Sequence, residues 1–341
     1  MFTKDGHKIV LKIKGGSHLY GLATENSDLD YIGVFLNTPE ELYGLKTCEV
    51  IEENTVSKQD NGKNDKDAID CKYYSLAKFC SLALGCNPTI LEILFVNPEN
   101  IVFCDTIGQH LLDSRHLFLS KKAYHSFLGY AISQKKKSFV KAENLKKLTE
   151  AYTELNRIDH YKLCKTMLYD VINPLNHTMR VIDYEKGIIY LSNGFINCDN
   201  HPDYITIGDL RFSNQKLIDV KRKIESRLNK ASHRADGMLD KGVDYKFMSH
   251  TVRLLYEGIQ LLTTGNIIFP LEQKDIIMNI KLGKVKNTDI IALIEDLENK
   301  IKTIDVVLPE KPDTDGVNSM MVYIYTILTM YKSLPIIDSS L

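Results

Sequence analysis

Two acidic residues, Asp28 and Asp30, stand two positions apart at the start of an apolar run. Successive side chains of a strand point to opposite faces, so this spacing predicts that both carboxylates lie on one face of a strand. Two adjacent carboxylates repel each other unless a cation lies between them. Magnesium takes oxygen ligands and keeps positions open for substrate phosphates. The pair therefore predicts a metal-dependent phosphoryl or nucleotidyl transfer site.

A glycine turn, Gly15-Gly16-Ser17, precedes the acidic pair by about ten residues. Glycine permits backbone conformations that are closed to other residues, and it lets a ligand approach the chain closely. The Ser17 hydroxyl and neighbouring backbone N–H groups are suited to holding a phosphate. We expect Ser17 to begin a short helix that reaches about Ala23, whose N-terminus would face the same phosphate. Gly16 and Ser17 are therefore predicted nucleotide-binding residues.

Together these residues resemble a known family. Gly16-Ser17, then Tyr20-Gly21, then Ser27-Asp28-Leu29-Asp30 is similar to the signature of the DNA polymerase β-like nucleotidyltransferase superfamily. The form of the motif is most similar to the branch of RNA-ligase-associated (RlaP-like) predicted nucleotidyltransferases, some of which are carried by large bacteriophages. The resemblance implies transfer of a nucleoside monophosphate from an NTP to a hydroxyl, with release of pyrophosphate.

The resemblance also implies a third acidic residue on a neighbouring strand. Asp70, in the strand predicted over 68–74, is the position that matches, and we favour it over Asp67, three residues earlier. Asp28, Asp30 and Asp70 would then be the catalytic and metal-binding residues for Mg²⁺ or Mn²⁺. In the two-metal arrangement that this implies, one ion activates the attacking hydroxyl and the other neutralises the triphosphate. Asp70 is the expected general base.

A second stretch also resembles the family. Lys246, His250 and Arg253 fall at i, i+4 and i+7, so they are predicted to share one face of a helix. Three such groups suit a triphosphate and its leaving pyrophosphate, and we assign them to nucleotide binding. The alternative is a hydrogen-bonded core histidine and an arginine paired with an acid. Glu92 lies in a predicted apolar helix, and two roles stay open for it: it lines the site, or it pairs with a basic residue.

A basic region covers residues 121–165, which contain eleven Lys and Arg residues against four Asp and Glu residues. Tyrosines and a phenylalanine are interleaved with these cations. Such a region is suited to holding an RNA backbone by releasing its counterions. The alternative is a solvated helix face whose charge is balanced elsewhere. The cations are Lys121, Lys122, Lys135, Lys136, Lys137, Lys141, Lys146, Lys147, Arg157, Lys162 and Lys165.

The composition limits the class of protein. A chain of 341 residues fits two domains better than one, and a net charge of −1 excludes a uniformly basic nucleic-acid binder. The seven cysteines are scattered without a C-x-x-C pair, so we expect reduced thiols and no zinc site. No signal peptide or apolar span is apparent, so we expect no membrane partner. We expect the protein in the cytoplasm, which is the host cytoplasm if the gene is a phage gene.

The predicted fold is of the α+β class. A nucleotidyltransferase domain with a small mixed sheet is predicted over 1–112, and a mainly helical, substrate-binding domain over 113–341. The predicted function is metal-dependent transfer of NMP from an NTP to a hydroxyl acceptor, with an RNA end favoured. Two alternatives stay open: a catalytically silent nucleotide- or RNA-binding protein, and an enzyme that modifies a protein side chain.

Overall fold

The fold was analysed in a computed structural model that describes residues 1–25, 27–54, 69–168, 181–182, 189–190, 199–201 and 204–333. The strands are β1 (Lys8–Lys14), β2 (Leu29–Leu36), β3 (Val50–Asn54), β4 (Ile69–Ser75), β5 (Ile101–Cys104), β6 (Val181–Ile182), β7 (Ile189–Tyr190), β8 (Asp199–His201), β9 (Tyr204–Ile207) and β10 (Leu210–Phe212). The helices are α1 (Gly16–Leu19), α2 (Pro39–Tyr43), α3 (Leu76–Leu84), α4 (Pro88–Leu94), α5 (Thr106–Asp113), α6 (Lys122–Asn156), α7 (His160–Lys165), α8 (Leu217–Lys241), α9 (Tyr245–Thr264), α10 (Lys274–Lys281), α11 (Asn287–Thr303) and α12 (Thr314–Ser333).

The N-terminal strands form a five-stranded mixed sheet in the order β3-β4-β2-β1-β5. Strands β2 and β4 are parallel, whereas β1 runs antiparallel to both β2 and β5, and β3 runs antiparallel to β4. The region that follows is mostly helical. The predicted α+β class, with a small mixed sheet followed by a helical region, is therefore confirmed.

The described chain divides into two compact units. The first contains residues 1–133, 249–280 and 288–341, and the second contains residues 134–248 and 281–287. Two of the boundaries fall within α6 and α9, so each unit is built from segments that are distant in sequence. The predicted division of the chain at residue 112 stays a prediction.

The core of the first unit follows from the sequence pattern of its strands. In β1 the run from Ile9 to Leu11 is completely buried, as expected for a strand that has a neighbour on each side. Helix α3 buries a stripe at helical spacing, and it begins where the Ser75 side chain accepts a hydrogen bond from the Lys78 N–H. Helix α4 begins with Pro88 at its first position, where the missing N–H of proline costs no helical hydrogen bond.

The second unit has its own apolar core. Side chains from α6, α7, α8 and the strands β9 and β10 pack in one cluster, which includes Leu155, Leu163, Ile207, Phe212 and Ile224. A three-stranded sheet, β10-β9-β8, contributes to this unit. Across the described part of the chain, none of the helices combines the length and the apolar character needed to cross a membrane.

Candidate active site

The glycine turn packs directly on Asp30. The Gly15 N–H donates a hydrogen bond to the Asp30 carbonyl oxygen at 2.8 Å. Gly16 has a φ of +58°, and a Cβ atom added there would lie 2.6 Å from Asp30 Oδ2. Only glycine fits both the backbone conformation and the space, so the turn and the carboxylate form one structural element.

The two strands of the parallel pair place Asp30 beside Asp70. Register partners in β2 and β4 include Asp30 with Asp70 and Tyr31 with Cys71. Partners in a parallel ladder point to the same face, so the two acidic side chains project side by side. The residues between 54 and 69, including Asp67, lie outside the described residues. The structure therefore brings together Gly16, Asp30 and Asp70.

These residues line a cleft of about 370 Å³ in the first unit. Its charged lining residues are Asp30, Asp70, Glu52 and Lys72. Lys72 forms a 2.9 Å ion pair with Glu52, whose hydrogen bond raises the pKa of Lys72. The lining residues are Gly16, Tyr20, Asp30, Tyr31, Ile32, Glu52, Asp70, Cys71, Lys72 and Thr89.

Two of the predicted site residues lie next to the cleft residues in sequence. Asp28 is exposed and stands one residue before the start of β2, and Ser17 is the second residue of α1. Neither belongs to the lining set among the described residues. Helix α1 ends at Leu19 rather than near Ala23, because Gly21 takes a φ of +68° just after it. The expectation of a longer phosphate-facing helix was wrong.

Arg253 lies in a buried charge cluster. Its Nη1 atom donates to Glu92 Oε1 at 2.6 Å and to Glu257 Oε1 at 2.7 Å, and the three side chains are at most 6% exposed. The guanidinium also lies 3.8 Å from the centroid of the Tyr20 ring, and the Tyr20 hydroxyl donates to Glu92 Oε2 at 2.5 Å. Arg253 is not among the described residues that line the cleft, although it contacts Tyr20, which is. Its nucleotide-binding role stays a prediction, and the placement favours the pairing alternatives that the sequence left open for Arg253 and Glu92.

The cluster holds two carboxyl groups and one guanidinium. Burial raises the pKa of Glu257 well above its ordinary value, because Arg253 only partly offsets the desolvation and Glu92 opposes a second negative charge. Glu257 Oε2 has no hydrogen-bond partner among the described residues. Burial also raises the pKa of Tyr20, while the two carboxylates outweigh the effect of burial on Arg253 and raise its pKa.

Lys246 and His250 lie on α9, as predicted; Lys246 is exposed, whereas His250 is half-buried. The backbone N–H of Lys246 donates to Asp244 Oδ1 at 2.9 Å, at the start of the helix. Lys246 belongs to the second unit, and His250 belongs to the first. Neither is among the described residues that line the cleft, so their role in nucleotide binding stays a prediction.

Seven lining residues received no role from the sequence: Tyr20, Tyr31, Ile32, Glu52, Cys71, Lys72 and Thr89. The placement of Lys72 could have been predicted from the alternation of side chains along a strand, because Lys72 stands two positions after Asp70 and so lies on the same face. Tyr20 is part of the sequence motif, although nothing in its spacing indicates a wall of the cleft. The placement of Glu52 could be known only from the pairing of β3 with β4, in which Glu52 lies opposite Lys72.

A mixed sheet that sets paired carboxylates beside a glycine turn is the arrangement of the polymerase β-like nucleotidyltransferases. The chain belongs to one branch of this class, the RlaP family, described as the RNA repair pathway DNA polymerase beta family, whose pattern matches residues 1–181. The predicted resemblance is thereby confirmed, and membership indicates nucleotidyltransferase-type activity in RNA repair.

A curated relative from Enterobacteria phage T4 matches almost the whole chain. It is described as an uncharacterized 38.9 kDa protein in the nrdC-mobD intergenic region, and it is 26% identical over 316 residues. The match covers 86% of this chain and 89% of the relative. No solved structure matches the chain.

Proposed function

We propose that the protein transfers a nucleoside monophosphate from an NTP to a hydroxyl group, with an RNA end as the favoured acceptor. The observation that carries this proposal is the placement of Asp30 beside Asp70, with the Gly16 backbone packed against the Asp30 carboxylate. This arrangement offers negative oxygen ligands and a close backbone approach at one point of an open cleft. Both features are required of a site that binds a metal–triphosphate complex.

The donor set fits magnesium or manganese, because the two carboxylates supply hard oxygen ligands at adjacent positions of the sheet. Asp30 and Asp70 would hold the metal, and Asp28, which immediately precedes β2, is the expected third ligand. When bound, the metal would neutralise the triphosphate and lower the pKa of the attacking hydroxyl.

The residues of the chain supply the other elements of the reaction. The Gly16-Ser17 turn would bind phosphate oxygens, and Asp70 would accept the proton of the attacking hydroxyl. The acceptor oxygen forms a bond to the α-phosphorus while the bond between that phosphorus and the bridging oxygen breaks. Pyrophosphate leaves with the bonding electron pair. Tyr20, fixed on one side by Arg253 and at its hydroxyl by Glu92, would form a rigid wall of the cleft.

An RNA acceptor is supported by the distribution of cations on α6. Several lysines of the basic region are ion-paired: Lys141 with Asp244, Lys147 with Glu143, and Lys146 with Glu150. Lys136 and Lys137 are exposed, and the exposed aromatic ring of Phe139 follows them. Cations interleaved with an aromatic ring suit a single-stranded nucleic acid.

The test is a transfer assay with the purified full-length protein. Each α-labelled NTP is incubated with Mg²⁺ or Mn²⁺ and with total RNA or a cell extract. A double variant, Asp30→Asn with Asp70→Asn, is assayed in parallel, and Glu99→Gln, an exposed carboxylate of the same unit, serves as the control. We expect label in RNA with the parent and with Glu99→Gln, and none with the double variant.

Other results would redirect the proposal. Label found in protein bands rather than RNA would establish the chemistry and replace the acceptor. NTP binding without transfer, with either metal and every acceptor, would identify a silent nucleotide-binding protein. Transfer that persists in the double variant would overturn the assignment of the carboxylates.

A further inference from the structure

A second group of metal-binding side chain types lies outside the cleft. His7 precedes β1, Glu41 belongs to α2, and Cys48 precedes β3, yet one ligand atom of each lies within 4.8 Å of the others. The His7 Nε2 and Glu41 Oε1 atoms are 2.8 Å apart. None of the three is among the described residues that line the cleft. Imidazole, carboxylate and thiolate groups are the ligands that zinc takes in proteins.

Hydrogen bonds hold this group in place. The Asn37 side-chain amide donates to Glu41 Oε2 at 3.1 Å and to the Cys48 carbonyl oxygen at 2.8 Å, so it connects two of the three residues. The Thr38 N–H also donates to Glu41 Oε2, at 3.1 Å. One oxygen of Glu41 is thereby fixed, and the other points to His7. Such outer contacts orient metal ligands in known sites.

His7 is nearly buried beside Glu41. Its side chain is 10% exposed, and its Nε2 atom faces Glu41 Oε1, so Nε2 is the ring nitrogen that this group offers to a metal. The Nδ1 atom, on the other side of the ring, has no hydrogen-bond partner among the described residues.

We propose that His7, Glu41 and Cys48 form a zinc site that is separate from the magnesium-type site of the cleft. The two sites differ in chemistry, because a thiolate and an imidazole select zinc, whereas the carboxylates of the cleft favour magnesium. The sequence pattern predicted no zinc site, because these ligands are separated by 34 and 7 residues and only one of them is a cysteine. The site requires nothing from the proposed transfer reaction.

The test is a metal titration of the full-length protein after treatment with a chelator. Zn²⁺ is added in competition with a chromophoric chelator, and Co²⁺ is added separately to detect the ultraviolet charge-transfer absorption of a thiolate–cobalt bond. We expect one equivalent of zinc and the cobalt–thiolate band with the parent, and loss of both with Cys48→Ser and with His7→Gln. The control Cys104→Ser removes another free cysteine of the same unit and should change neither.

An outer-contact variant and a cleft variant complete the test. Asn37→Ala removes the amide that connects Glu41 to Cys48, and it should weaken zinc binding by about tenfold or more. The cleft variant Asp30→Asn with Asp70→Asn should keep full zinc binding, even if it has lost transfer activity.

Two results would overturn the proposal: binding of less than one equivalent by the parent, or binding that is unchanged in Cys48→Ser. Circular dichroism of the chelator-treated proteins checks that parent and variants have the same fold before metal is added. A variant that fails this check is replaced by Cys48→Ala.

Discussion

At the scale of single residues, the contact between Gly16 and Asp30 makes the sharpest prediction. Gly16→Ala places a Cβ atom 2.6 Å from Asp30 Oδ2 and puts alanine at a φ of +58°. The backbone conformation costs about 1–2 kcal/mol of stability, and displacement of the carboxylate should lower transfer by about a hundredfold. The measurements are the free energy of unfolding in urea and the rate of NMP transfer.

A second glycine separates these two effects. Gly242 has a φ of +69°, and among the described residues no atom beyond its two chain neighbours lies within 4 Å of an added Cβ atom. Gly242→Ala should therefore lose similar stability but keep its transfer activity. Equal losses of activity in both variants would show that the contact with Asp30 has no special role.

The buried cluster around Arg253 predicts how stability depends on pH. The pKa of Glu257 is raised in the folded state, so its proton is released on unfolding at pH values between the unfolded and the folded pKa. Ionisation of the unfolded chain then lowers stability by about 1.4 kcal/mol for each pH unit of that interval. Glu257→Gln removes this loss. The variant should gain stability relative to the parent as the pH rises above about 5.

The comparison is made by urea unfolding at several pH values, with Glu295→Gln as the control. Glu295 is an exposed residue of α11 in the same unit, so its variant should follow the pH dependence of the parent. A difference between Glu257→Gln and the parent that does not change with pH would mean that Glu257 is ionised in the folded protein.

The roles of Asp30, Asp70 and Arg253 could be predicted only in part from the sequence. Strand alternation and the family resemblance together predicted Asp30 and Asp70, since both depend on local pattern. Arg253 was different, because its environment depends on Glu92, which is 161 residues away. The spacing of Arg253 and Glu257, at i and i+4, was a visible signal for an ion pair.

At the scale of elements, α6 makes a prediction about nucleic-acid binding. Lys136→Gln with Lys137→Gln removes two exposed positive charges of this helix. If both lysines contact phosphates of a single strand, the logarithm of the RNA-binding constant should depend less steeply on the logarithm of the salt concentration, by about 1.4 in slope. The measurement is fluorescence anisotropy of a labelled single-stranded RNA at several salt concentrations.

The same helix supplies a matched control. Lys146→Gln with Lys147→Gln removes the same charge, but these lysines are paired with Glu150 and Glu143. This variant should bind RNA nearly as the parent does. Equal effects of the two double variants would mean that binding responds to the total charge and not to a surface on α6.

The elements themselves show what local patterns can specify. Helix α3 begins at its Ser75 cap and ends before Gly85, and α4 begins with Pro88, because such signals act within one turn. The parallel pairing of β2 with β4 could not be read in this way. It joins strands that are separated by more than thirty residues, and its register depends on packing of the whole sheet.

At the scale of the whole molecule, nucleotide binding should appear as a change in stability. A ligand that binds only the native state raises the free energy of unfolding by about 2.7 kcal/mol at a concentration of 100 times its Kd. The cleft lies within the first unit, so if the two units unfold in separate transitions, only that of the first unit should shift. Calorimetry with a non-hydrolysable NTP analogue, with and without Mg²⁺, measures this shift.

Variants of the cleft assign the shift to its carboxylates. Asp30→Asn with Asp70→Asn should abolish the part of the shift that requires Mg²⁺, whereas Glu99→Gln should keep it, because the net charge of −1 gives the molecule little general attraction for cations. A magnesium-dependent shift that survives in the double variant would place the metal elsewhere. If the shift is lost only when Asp28→Asn is added to this double variant, Asp28 is instead the principal metal ligand. The geometry of the metal site would then depend on the residue that precedes β2.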